Sequence, residues 1–278
     1  MSSASPELAV EATRRARQAG RQRRAGLTVL ALVTAFSLLG PVIVDIDPAR
    51  QDLHRSLMPP GSTHWLGTDL LGRSVLARLA HAAHLSLGLA LLTTATAAVP
   101  GVLLGVAAAW RGRRTERALA LLADAVLSVP GLLLVVLFSA LAPGRHWALY
   151  LGLSLSLWVE YFRVSRAASR PVLGGDAVQA SRLLGFGPGY VLRRHVLPAL
   201  APMLPTLFAF STAQAVLALA TLGFIGVGIQ PPAAELGLMM TESLPHYHEA
   251  PWLIAAPVTL LMLLVLGMML LTWERQAR

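Results

Sequence analysis

The chain has 278 residues, of which 55% are hydrophobic and only 13% charged, with a formal net charge of +9 and no cysteine. An ordinary soluble domain carries roughly 25% charged residues, so this composition cannot cover a water-facing surface, and the length suits about six apolar spans of roughly 20 residues. Disulfides and thiolate metal sites are excluded, and so is a P-loop, whose lysine must reach the nucleotide phosphates, because all 23 basic residues are arginine.

Residues 1–25 are polar and hold six arginines between Arg14 and Arg24. The apolar run 26–46 follows directly, broken only by Gly40-Pro41. A basic start before an apolar run resembles a secretory leader, but a run of about 20 residues exceeds a leader's apolar region and reads as a retained first span. Residues 47–83 read as an external loop with an amphipathic helix at the entry to the second span. The segment 84–273 reads as a five-helix core, with apolar runs at 84–109, 117–141, 146–162, 199–228 and 252–273. Each can close its own backbone hydrogen bonds as a helix, which lipid demands. The run 146–162 is short and contains Glu160. Residues 274–278 form the tail. The expected fold is an all-α membrane protein with about six transmembrane helices.

Arginine placement sets the orientation. The segments 1–25, 110–116, 163–198 and the tail are arginine-rich, whereas the connection 229–251 carries Glu235, Glu242 and Glu249. Segment 47–83 breaks the trend with Arg50, Arg55, Arg73 and Arg78. The bias places both termini in the cytoplasm. The arginines flank apolar runs instead of forming one basic face, so a nucleic-acid partner is not expected.

The internal stretch 163–198 is too long for a simple connection. Asp176 is positioned to cap a short helix, Ala177 to Leu184, which Gly185 and the breakers Gly187-Pro188-Gly189 would end. A second short helix, Tyr190 to Leu197, would stop at Pro198. Two short helices around a glycine corner make a compact knob.

The knob carries a resemblance. Val178-Gln179-Ala180-Ser181-Arg182-Leu183-Leu184-Gly185, followed by Arg194-His195-Val196-Leu197-Pro198, is similar to the coupling loop by which importer permeases dock on their ATPases. The usual form is Glu-Ala-Ala, three residues, Gly and a late Pro; Gln179 and Ser181 depart from it. Gln179, Ala180, Ser181, Arg182, Gly185 and Pro198 match its positions. Two further segments resemble the peptide/nickel family in particular. One is His64-Trp65-Leu66-Gly67-Thr68-Asp69-Leu70-Leu71-Gly72-Arg73-Ser74-Val75-Leu76-Ala77-Arg78-Leu79, where the family usually has Asp in place of Ser74. Within it, Gly67, Thr68, Asp69, Gly72 and Arg73 are the motif positions; Thr68 or Asp69 would cap a helix and Asp69 would pair with Arg73. The other is Phe224-Ile225-Gly226-Val227-Gly228-Ile229-Gln230-Pro231-Pro232, whose double proline would terminate the fifth span.

On these motifs, across roughly residues 26–255, the chain resembles the inner-membrane permease subunits of the dipeptide/oligopeptide/nickel ABC importer family. The resemblance implies a type I importer permease fold in a bacterial inner membrane. It also implies a second homologous permease, two cytoplasmic ABC ATPase subunits and an extracytoplasmic substrate-binding protein. No cofactor or catalytic residue is expected, and ATP hydrolysis belongs to the partner ATPase. The cargo would be a peptide, nickel or another metal chelate, with Ala180-Ser181-Arg182-Leu183 resembling the nickel variant of the loop. Two features depart from the family: Leu219 stands where an acidic residue is common, and the usual Asn-Leu-x-Gly-Asp-x-Leu-Arg-Asp tail is absent.

Asp124, Ser211, Thr212 and Gln214 lie within apolar runs and are candidates to line the translocation path. Asp124 could instead pair with an arginine on a neighbouring span, and the hydroxyls could simply join helices. His246 and His248 flank Tyr247 in an external loop, where a His-x-His pair can bind metal or stay solvated. A membrane hydrolase would need His-Glu-x-x-His or Gly-x-Ser-x-Gly, and neither occurs. An ion-gradient-driven secondary transporter is the alternative, though no matched pair of interrupted spans supports it.

Overall fold

The computed structural model describes residues 6–44, 46–143 and 145–276, with side chains for 20–22, 24–44, 46–143 and 145–271. Part of the basic segment 1–25 and of the tail 274–278 therefore lies outside the described residues. Among the described residues the regular structure is helical, apart from one isolated bridge between Thr68 and Ser74, with longer non-helical connections at 56–74 and 225–235. It contains α1 (Pro6–Ile43), α2 (Val75–Arg111), α3 (Arg113–Leu127), α4 (Gly131–Leu141) and α5 (His146–Gly174). Then follow α6 (Asp176–Leu183), α7 (Pro188–Val191), a wide π turn (Leu192–Val196), α8 (Leu197–Leu200), α9 (Leu204–Phe224), α10 (Leu236–Ser243) and α11 (Pro251–Gln276).

Four of the described helical stretches are long and apolar enough to cross a membrane: Gly20–Ile43, α2, α9 and Pro251–Leu271. A fifth is possible if α3 and α4, bent by 74° at residues 128–130, count as one span. The bend sits inside the expected run 117–141, where Pro130 forces Val129 away from helical geometry. The expected run 146–162 lies within α5, where Glu160 and Arg163 lower the hydropathy.

The chain divides into two compact units, Met1–Leu85 with Ala234–Arg278, and Ser86–Ala233. In the first, α1 packs along α11. A Cβ added to Gly26 would lie 2.9 Å from the Gly267 carbonyl oxygen, so glycines on facing helices let the backbones touch. In the second, Gly101 and Gly105 of α2 do the same against α5. Added Cβ atoms there would lie 2.5 Å from the Trp158 carbonyl oxygen and 2.6 Å from that of Phe162.

Several expected boundaries differ. The second span begins at Val75 as one continuous 37-residue helix, so apart from a single 3-10 turn at Leu53–Arg55 the segment 47–83 has no entry helix separate from that span. The first third of the expected loop 163–198 is a continuation of α5, which runs to Gly174. The fifth span ends at Phe224, before the double proline, because Gly226 adopts φ +83° and closes a left-handed cap. In that cap the Gly226 N–H donates to Gly223 O (3.1 Å) and the Val227 N–H to Leu222 O (3.0 Å).

Candidate functional site: a helical knob and a buried ion cluster

The knob grows out of the end of α5. Gly175 is the N-cap of α6 and makes no side-chain cap bond, so Asp176 stands in the first turn and is not the cap. There its negative charge still favours the positive end of the helix dipole. At the other end Gly185 takes φ +84°, its N–H donates to Arg182 O (3.0 Å), and the Phe186 N–H donates to Ser181 O (3.1 Å). That pair of bonds is a Schellman cap, which needs a residue at ease in the left-handed region. The chain then re-enters α7, with Pro188 at its first position.

Pro198 does not stop the second helix. The π turn Leu192–Val196 comes first, its wider register carrying the Leu197 N–H to Leu192 O, and Pro198 follows inside α8. A proline lacks the N–H for the regular ladder and crowds the carbonyl four residues back, so the widened turn just before it relieves both demands.

Leu173, Val178, Val191, Val196 and Leu200 form a buried core inside the knob, with Val106, Ala109 and Trp110 of α2 packed against it. Of the motif residues, Ser181 is buried, donating to Ala177 O (2.8 Å) and sharing a hydrogen bond with His195 Nε2 (3.0 Å). Gln179 Nε2 donates to Gly174 O (3.1 Å), bracing α6 against the end of α5. Arg182 lies over the Trp110 ring at 5.7 Å. Gln179 and Ser181 therefore hold the knob together, while Ala180 presents little more than a methyl group to solvent.

The side chains projecting from the knob are ones the motif does not single out. Leu183 is 89% exposed and Leu184 76%. Beside them Phe186 and Tyr190 stack with ring centroids 4.2 Å apart. An apolar tip of this kind, standing exposed on its own buried core, is a candidate interaction surface. The sequence signal was present, two leucines directly before the capping glycine, but motif matching passes over it.

The segment before α2 builds a second site. Gly67 and Gly72 both take positive φ, +73° and +70°, and backbone oxygens of Met58 and Asp52 lie where a Cβ would be. Thr68 is fully buried, accepting from the Met58 N–H (2.9 Å) and donating to Arg55 O. Neither Thr68 nor Asp69 caps a helix; Ser74 does, its Oγ accepting from the Ala77 N–H at 3.4 Å. The helix begins one turn later than expected because 67–74 folds as a tight reverse turn.

Asp69 instead organises a buried ion cluster. Its Oδ1 accepts from the N–H groups of Leu71 and Arg73, both at 2.9 Å. Its Oδ2 pairs with Arg73 Nε at 2.6 Å and Arg78 Nη1 at 2.7 Å. Glu242 of α10 closes the cluster, with Oε2 at 3.1 Å from Arg73 Nη2 and 2.6 Å from Arg78 Nη2. Two arginines thus face two carboxylates, as burial requires. Sequence reasoning found the Asp69–Arg73 pair but missed Arg78 and Glu242. The clue was charge balance: two arginines at the head of an apolar helix need a second acid, and Glu242 was in reach.

The four candidate pathway residues sit in different settings. Ser211 and Thr212 are buried, Gln214 is exposed, and Asp124 is exposed on α3, where it pairs with Arg163 at 2.7 Å. Thr212 donates to Phe208 O (2.8 Å), and Tyr161 faces Ser211. An apolar recess of about 480 Å³ between α2, α5 and α9, lined by Val99, Leu103, Tyr161 and Phe208 among others, contains none of the four. His246 Nδ1 lies 3.7 Å from Glu249 Oε2, and Tyr247 packs on His248 with centroids 3.7 Å apart. Among the described residues, no group of three or more His, Cys, Asp or Glu could hold a metal ion.

The family model described as the inner-membrane component of binding-protein-dependent transport systems matches residues 101–273. A di/tripeptide transport system permease of Pseudomonas aeruginosa is 34% identical over 253 residues, covering 88% of this chain and 83% of that protein. A dipeptide transport system permease of Haemophilus influenzae is 31% identical over 250 residues, covering 87% and 84%. Among solved structures, an inward-facing form of the MetNI methionine ABC transporter superposes with a TM-score of 0.53 at 19% identity, covering 69% of this chain and 90% of that one. At that identity the superposition speaks for the fold alone.

Proposed function

The chain belongs to the inner-membrane components of binding-protein-dependent transport systems, a multi-pass permease of an ABC importer, and from that premise we propose how it works and with what. The observation that carries the proposal is the knob: a separately packed core whose tip exposes Leu183 and Leu184. Water is a poor environment for such a tip, and a groove on an ATPase subunit is a suitable one. ATP-driven closure of two such ATPases would pull on the knob, and α5, which continues into it without a break, would carry the motion into the membrane. Gln179, Ser181, Gly185 and Pro198 then act by shaping the knob, while Arg182 and the leucines make contact.

The remaining parts follow from the same reading. This chain forms half of a translocation path completed by a second, homologous permease, and an extracytoplasmic binding protein supplies the cargo. The relatives carry di- and tripeptide names, which favours short peptides over nickel or a metal chelate. Both termini lie in the cytoplasm, on the side of the arginine-rich segments, and Asp69, Arg73, Gly67, Thr68 and Gly72 stiffen the external entry to α2. Asp124 serves in a helix-to-helix ion pair, and Ser211 and Thr212 in helix packing. ATP is hydrolysed on the partner ATPases.

Gentle solubilisation of the chain from its own host, with mass identification of what co-purifies, tests this. Recovery of a second permease and an ABC ATPase is expected. A homo-oligomer without an ATPase, reproduced in mild detergents, overturns the reading in favour of an ion-gradient-driven transporter. Uptake of labelled tripeptide that persists when the chain is deleted refutes the cargo.

A further inference from the structure

The transport reading leaves the arginines ahead of the first span unused. Six of them lie between Arg14 and Arg24. The helix α1 runs from Pro6 to Ile43, so this basic stretch continues directly into the apolar stretch Gly20–Ile43. At about 100° per residue, Arg14, Arg17, Arg21 and Arg24 fall within an arc of about 80°. Arg15 and Arg23 fall outside it. Arg21 and Arg24 stand exposed.

Depth places the stripe. A helix of 24 residues, Gly20–Ile43, is about 36 Å long against a hydrocarbon layer of about 30 Å. The surplus puts the turn containing Arg21 and Arg24 among the headgroups. The partner helix ends at the same level. Gly267 of α11 meets α1, where an added Cβ would lie 2.9 Å from Leu30 Cγ, and α11 continues past it to Gln276. By register Trp273 and Arg275 therefore lie at the depth of Arg24 and Arg21, an aromatic and a base where membrane proteins place them.

We propose that the stripe Arg14, Arg17, Arg21 and Arg24 binds the phosphate headgroups of anionic phospholipid, gathering them at the foot of α1 and α11. Guanidinium groups pair with phosphate oxygens in a fork geometry that a zwitterionic headgroup, with its own cation, satisfies less well. Screening over about 8 Å at physiological ionic strength makes Arg21 and Arg24, the two nearest the apolar stretch in sequence, the strongest contributors.

The test uses the purified full-length chain in nanodiscs of mixed phosphatidylglycerol and phosphatidylcholine, with headgroup-labelled probes of each lipid reporting which one the protein retains. Two charge-matched variants are compared, R17Q/R21Q on the stripe and R15Q/R23Q off it. Each basic residue at a membrane surface is worth roughly fivefold in association with anionic lipid. The expected result is a loss of about tenfold or more in phosphatidylglycerol preference for R17Q/R21Q and less than about twofold for R15Q/R23Q. Equal losses in the two variants would reduce the effect to bulk charge and overturn the stripe. The proposal also fails if the native chain shows no preference, or if a short oligonucleotide displaces the lipid at matched ionic strength.

Discussion

Replacing Asp69 with asparagine keeps the shape of the side chain and removes one charge from the cluster that joins the segment before α2 to α10. The carboxylate accepts four hydrogen bonds, two from backbone N–H groups and two from the guanidinium groups of Arg73 and Arg78. Both arginine side chains are nearly inaccessible, at 6% and 3% exposure. Without Asp69 they share Glu242 alone, and the new amide nitrogen points a donor at donors. Removing one partner of a buried ion pair costs about 3–5 kcal/mol, because an uncompensated charge stays behind. The exposed pair Asp52–Arg55, at 3.3 Å, is the internal control. Asp52→Asn should cost less than about 1 kcal/mol, since such pairs gain little over water.

Urea unfolding in detergent, followed by tryptophan emission, reads the difference, because Trp65 lies in the segment before α2 and Trp252 beside Gly67. D69N should unfold at a clearly lower midpoint, and the neutral quadruple variant Asp69→Asn, Glu242→Gln, Arg73→Gln, Arg78→Gln should recover part of the loss. A D69N midpoint equal to that of D52N would refute the argument that burial makes this cluster stabilising.

The other predictions concern the knob and the helix crossings. Leu184→Ser should leave membrane insertion and abundance unchanged while weakening ATPase recovery in pull-downs by about 10- to 100-fold, the value of about 1.5–3 kcal/mol for a buried leucine. Unchanged recovery would remove Leu184 from the interface. Gly185→Val should lower transport without a steric clash, since no atom lies within 4 Å of an added Cβ, the cost being about 1–2 kcal/mol of left-handed backbone strain. Uptake equal to the unaltered chain would count against the cap. Gly101→Leu should block stable folding, because its side chain would start 2.5 Å from α5 backbone, whereas Gly88→Ala, with open space around it, should be neutral or slightly stabilising by thermal unfolding in detergent.

Some of this architecture was legible in the sequence because it depends on local chemistry. Gly185 ends α6 because only a residue comfortable at φ +84° closes that cap, and a glycine after a helical run announces it. Prolines misled for the opposite reason. Pro198 and the pair Pro231-Pro232 read as helix stops, yet a π turn absorbs the first, and Gly226 ends α9 before the second is reached. A residue's effect on a helix depends on register, and register is not visible in composition. The Arg73–Glu242 contact spans 169 positions and could be inferred only from charge balance.

The knob makes the same point about motifs. Gln179 and Ser181 stand where the family pattern has glutamate and alanine, and both direct polar groups to the knob itself, Gln179 to Gly174 O at its surface and the buried Ser181 to Ala177 O and His195. On the proposed docking role, substitutions at pattern positions are tolerated when their new hydrogen bonds close within the knob, because the knob's shape, and not those side chains, would meet the partner. Leu183 and Leu184 carry no pattern and sit where any apolar residue would serve. Recognition of a family by motif would then select the residues that build the knob, while affinity for a partner would rest on neighbours the motif leaves free. On this argument an alanine scan of residues 177–190 should separate into two classes, changes that alter thermal stability and changes that alter only ATPase binding, with Ser181 in the first and Leu184 in the second.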